Sequence, residues 1–105
     1  MNEDAGSDMV VRHVLIRGRV QGVGFRYWTE QQALMRGLEG FVRNRRDGSV
    51  EALFCGSTKT VAKILDVCRQ GPSGSLVTSV EDAGGGLELL AQRRPGELFS
   101  VLSTV

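Results

Sequence analysis

The sequence is poor in the residues that most often advertise chemistry: one histidine, two cysteines and two prolines in 105 residues, with aromatic side chains at only 6%. Cys55 and Cys68 form no CxxC pair, and with His13 they fall short of the four ligands of a closed zinc site. No metal centre is therefore expected. The two thiols read as small buried hydrophobes of a reducing, cytoplasmic setting rather than as a disulfide. No run of eighteen or more apolar residues occurs, which excludes a membrane-spanning helix. The opening MNEDAGSDM has neither a basic segment nor an apolar one, so it does not read as a secretory signal.

What remains is ordinary globular material, with 41% hydrophobic and 24% charged residues. The length suits one domain, expected over residues 9–105 behind a flexible acidic tail at 1–8. Net charge is +1, but it is unevenly spread. Residues 9–48 carry eight arginines against Glu30, Glu39 and Asp47, and the rest of the chain is net acidic. A positive half built wholly of arginine suits an anionic partner, because guanidinium forks match phosphate and carboxylate oxygens. A solvated arginine-rich surface would give the same count.

Residues 9–17 (MVVRHVLIR) are β-branched and apolar, the pattern of a strand. A loop with Gly18, Gly22 and Gly24 follows, then a helix over 25–36 that Gly37 ends. Its buried face is either Phe25, Trp28, Gln32 and Met35 or Phe25, Trp28, Thr29 and Ala33. Asp47-Gly48 marks the turn of a hairpin. In its second arm Val50, Ala52 and Phe54 form the buried face, and Glu51, Leu53 and Cys55 a mixed one. Phe41 and Arg43 are expected on the open face of the sheet. Ser57 or Thr58 caps a second helix to Arg69, with Val61, Ile64, Leu65 and Cys68 on one side. Strands are expected again over 76–81 and 98–102. The order β-α-β-β-α-β predicts an α+β, ferredoxin-like sandwich: an antiparallel sheet with two helices on one face.

The informative stretch is 18–26. A strand ends, glycines allow positive φ, and a helix begins whose first amides have no acceptor. Such amides, with the partial positive charge of the helix start, make an anion nest. Arg26 falls in the first turn and can fold back over the same anion. Neither GxxxxGK[ST] nor GxGxxG is present, so nucleotide loops of those kinds are excluded.

GRVQGVGFR at 18–26, and GFVRN at 40–44 followed by DGSVEA, resemble the two signature blocks of the acylphosphatase family, in the same order. The likeness runs from about residue 10 to 70 and fades beyond Leu76. It implies a small ferredoxin-like enzyme that hydrolyses acyl phosphates to a carboxylate and phosphate, without metal or cofactor. It further implies that Arg26 binds the phosphate and that Asn44 orients the attacking water. The loop Gln21, Gly22, Val23, Gly24 and Phe25 would supply main-chain donors. Arg45 and Arg46 follow Asn44 where some relatives place small hydroxyl residues.

The chemistry suits the residues. An acyl phosphate expels a carboxylate whose conjugate acid has a pKa of about 4, so the leaving group needs no protonation. Phosphate or sulfate would bind as product-like ligands, and a monomer is expected. The alternative is a non-catalytic RNA-binding module of the same topology. Such modules stack bases on aromatic residues of the central strands. Here those strands offer His13 and Phe54, and Phe54 belongs to the core face, so no nucleic-acid partner is expected.

Overall fold

The computed structural model describes residues 9–105; the tail expected at 1–8 lies outside the described residues. The elements are β1 (Met9–Arg19), α1 (Phe25–Met35), β2 (Glu39–Asn44), β3 (Val50–Ser57), α2 (Thr58–Gln70), β4 (Leu76–Asp82), a 3-10 helix (Leu87–Gln92) and β5 (Phe99–Val101). They form one sheet in the order β4-β1-β3-β2-β5. The first four strands pair antiparallel, as the ferredoxin-like frame requires. β5 adds to the β2 edge in parallel, Gly40 opposite Phe99 and Val42 opposite Val101, so the complete sheet is mixed.

Alternation along the strands sends Val14, Ile16, Val42, Val50, Ala52 and Phe54 to one face. Phe25 and Ala33 of α1 and Val61, Ile64 and Cys68 of α2 pack on that face as a single core. Of the two faces open to α1, the one with Phe25, Thr29 and Ala33 is buried, and Met35 is exposed. Trp28 is only partly buried and meets Phe25 edge-on at 5.3 Å. Gly37 (φ 67°) ends α1, with Leu38 N–H bonded to the Ala33 carbonyl. α2 is capped by Ser57, whose side chain accepts from the Thr60 amide. Cys55 and Cys68 are free and buried, and burial pushes the Cys68 thiol up to about 12.

The mixed face of β3 departs from expectation. Glu51, Leu53 and Cys55 are all buried, as is Phe41, so the sheet has no open face along its two central hairpin strands. The segment after β4, with its 3-10 helix, packs across β2 and β3 from the side opposite α1 and α2. Nothing in its weak pattern foretells this, because the apolar residues it covers belong to other segments. Arg94 holds the far end of the strap, donating to the Val101 carbonyl at 2.6 Å.

Two signature glycines are explained by close approach. A side chain at Gly18 would run into the Leu76 carbonyl of β4, and one at Gly40 (φ 150°) into the Leu53 carbonyl of β3. Gly40→Ala should therefore destabilise the protein by about 2 kcal/mol or more, read as a lower urea midpoint. Gly74→Ala, also at positive φ but with open space around it, should cost less.

Candidate active site

β1 ends at Arg19, and Val20 buries its side chain beneath the turn that follows. The chain then passes through Gly22 (φ 75°) and Gly24 (φ 79°) into α1. Both glycines use the left-handed region that other residues avoid. Gly24 is the N-cap and has no side chain to cap with, and the first turn holds no acidic residue. The first helical bond runs from Trp28 N–H to the Gly24 carbonyl at 3.0 Å, which leaves the amides of Phe25, Arg26 and Tyr27 outside the helical ladder. α2, by contrast, is capped by its own serine.

One cleft of about 470 Å³ opens over this helix start. Gln21, Gly22, Gly24, Phe25 and Arg26 line it from the loop and α1, and Asn44 lines it from the end of β2. Val23 does not; its side chain packs against the core. Arg26 is half-buried, and neither its guanidinium nor the Asn44 carboxamide bonds to another described residue. Arg43 and Arg45 instead bind Glu51 on the other side of the sheet, so Arg26 is the arginine that fronts the cleft.

Asn44 is held by its main chain. It pairs with Val50 of β3, and its carbonyl accepts from the Val105 amide at 3.1 Å. Its neighbours point the other way, to the strap side of the sheet. There Arg43 Nε and Arg45 Nη1 donate to Glu51 Oε1 at 2.9 and 3.0 Å. His13 bonds the same carboxylate through Nε2 at 2.6 Å, and through Nδ1 meets the Gly84 carbonyl of the strap at 2.6 Å. Burial opposes the charge of Glu51, but Arg43, His13 and Arg45 outweigh it and bring its pKa down to about 2. His13 thus has a partner that no local pattern specified.

Gln21 is placed differently from the rest of its loop. Its side-chain Nε2 donates to the Arg45 carbonyl at 2.7 Å and to the Ser49 carbonyl at 2.8 Å, both in the hairpin turn. Four further residues line the cleft: Val20, Tyr27, Glu30 and Val101. Glu30, four residues beyond Arg26 on the same helix, could have been found from helical spacing. Val101 could not, since only the pairing of β5 with β2 brings it there. Among the described residues no three His, Cys, Asp or Glu side chains cluster to hold a metal ion. An uncapped helix start, a free guanidinium and a free carboxamide around one cleft can hold a tetrahedral anion and a water beside it.

A model of the acylphosphatase family matches residues 12–85. The acylphosphatase of Nitrobacter winogradskyi is 58% identical over 96 residues, covering 91% of this chain and 97% of that one. That of Bradyrhizobium diazoefficiens is 58% identical over 95 residues, covering 90% and 96%. Among solved structures, an acylphosphatase from Bacillus subtilis is 32% identical with a TM-score of 0.74, covering 89% of this chain and 98% of that one. One from Coxiella burnetii is 25% identical with a TM-score of 0.77, covering 97% and 100%.

The Glu51 cluster gives a prediction with a sign. A carboxylate whose pKa is lowered on folding stabilises the protein above its ordinary value of 4.5, and that contribution is lost as pH falls toward about 2. Glu51→Gln should cost about 3 kcal/mol at pH 7, because it strands cations packed on a buried site. The gap from wild type, measured by urea unfolding, should narrow steadily below pH 4.5.

Proposed function

The chain belongs to the acylphosphatase family and is an enzyme that hydrolyses acyl phosphates; we propose that it does so in the cleft between the Gly22–Gly24 loop and the end of β2. The observation that carries this reading is that Arg26 and Asn44, from separate segments, front one cleft at an uncapped helix start.

In this reading the phosphoryl group of the substrate sits on the loop amides and the first amides of α1. Arg26 spans two of its oxygens from the side. Charge spread over the equatorial oxygens in the transition state is met by donors already in place, which act without reorganisation. Asn44 offers a donor and an acceptor on one planar group, which suits holding a water in line with the bond to be broken. The water oxygen bonds to phosphorus as the phosphorus–acyl oxygen bond breaks, and the electron pair leaves with the carboxylate. The water's proton passes to a phosphoryl oxygen of the substrate itself, giving inorganic phosphate. The acyl part lies toward Tyr27, Glu30 and Val101, and the enzyme works as a monomer without metal or cofactor.

The alternative, an RNA-binding module, needs an exposed sheet face with aromatic platforms. Phe54 instead stacks on Phe99 within the helix-side core, and the opposite face lies under the strap. Both observations weigh against that reading.

Purified protein should hydrolyse benzoyl phosphate at an undiminished rate in EDTA. Arg26→Ala should abolish turnover and raise the inhibition constant for inorganic phosphate at least about tenfold, the scale of one lost charge-assisted bond. Asn44→Ala should lower kcat by about 100-fold or more while phosphate inhibition stays nearly unchanged. Loss of activity to chelator, or a fully active Asn44→Ala protein, refutes the mechanism.

A further inference from the structure

We propose that the side chain of Gln21 is a positioning residue for the reaction: it clamps the phosphate loop to the hairpin turn beyond β2 and so sets where Asn44 stands relative to the bound phosphoryl group. The proposal rests on the reading above.

Gln21 lies one residue before the first loop glycine and lines the cleft, yet its donors are not free for a ligand. Both contacts of its amide nitrogen, at 2.7 and 2.8 Å, are carbonyl oxygens, those of Arg45 and Ser49. A carbonyl can only accept, so the nitrogen end must face the turn, and both of its hydrogens are spent there. What remains of the amide is Oε1, an acceptor, which cannot hold a phosphate. Only the main chain of Gln21 can serve the anion nest.

The two carbonyls are those that close the turn. Arg45 N–H donates to the Ser49 carbonyl at 2.9 Å, and Gly48 N–H to the Arg45 carbonyl at 3.1 Å. Gln21 therefore joins a turn that is already internally fixed, one residue past Asn44. On the other side Val20 and Val23 anchor the loop in the core. The loop and the turn belong to segments far apart in sequence, and the glycines between Gln21 and Arg26 add freedom rather than stiffness. Among the described residues, no other side-chain hydrogen bond joins residues 20–26 to the turn at 45–49. In-line attack depends on that separation, because a displacement of about 1 Å of a positioning group can cost roughly 100-fold in rate.

The test is a double-mutant cycle on benzoyl phosphate with the full chain. Gln21→Ala should lower kcat by about 10- to 100-fold, with the inhibition constant of inorganic phosphate moving less than about threefold, since the amides and Arg26 stay in place. In the Asn44→Ala background the same change should cost nothing further, because there is no carboxamide left to misplace. Losses that multiply, a phosphate constant that rises as far as kcat falls, or an unchanged kcat each overturn the clamp. Gln21→Glu supplies a second readout of the same length. Protonated, it can still donate one bond; ionised, it donates none and faces two carbonyl oxygens. Its kcat relative to wild type should fall as pH rises from about 4 to about 7, and a ratio independent of pH overturns the proposal even if Gln21→Ala does not fold. Active wild type with a damaged Asn44→Ala and multiplying losses refutes the clamp alone. An inactive wild type, or a harmless Asn44→Ala, refutes the reading above and the clamp with it.

Discussion

A helix that begins without a capping side chain must find acceptors for its first amides elsewhere, and this constraint organises the site. α2 meets it internally through Ser57. α1 does not: Gly24 stands at its N-cap in the left-handed region, and no acid follows in the first turn. Leaving such donors open costs stability on the scale of a lost cap, about 1 kcal/mol. In the proposed reading an anionic substrate supplies the missing acceptors, and the feature that weakens the free protein locally is the one that binds it.

The second requirement is a rigid counterpart, and the sheet provides it. β3 lies at the centre with both faces covered, by the two helices on one side and the strap on the other. Its Glu51 collects Arg43, Arg45 and His13, and through His13 ties the strap to the sheet. Arg43 and Arg45 flank Asn44, so alternation points the asparagine into the cleft while its neighbours are bound on the far side. The fold divides the surplus of arginine that composition presented: Arg43 and Arg45 are neutralised against a buried carboxylate, Arg12 and Arg17 pair with exposed acids, and Arg26 fronts the cleft.

The signature glycines divide in the same way. Gly22 and Gly24 serve the loop by their positive φ. Gly18 and Gly40 are there because strands β4 and β3 approach too closely for a side chain. A motif read as one functional unit is therefore part binding site and part packing. This also explains why the first hairpin block begins with glycine although the residue proposed to act is Asn44, at its end.

Much of the frame was legible in the sequence, because its causes are local. Hydrophobic alternation, the Asp47-Gly48 turn, Ser57 before α2 and Gly37 after α1 each act within a few residues, and together they specify βαββαβ. The Gly22–Arg26 loop was equally local, an anion nest written in glycines and one arginine. The strap over the second face, the parallel β5 that brings Val101 to the cleft, the pairing of Gln21 with the turn and the gathering around Glu51 were decided only in three dimensions. Each joins segments whose partners are fixed by complementary burial and hydrogen bonding across the sheet, and such pairings leave no periodic trace in either segment alone.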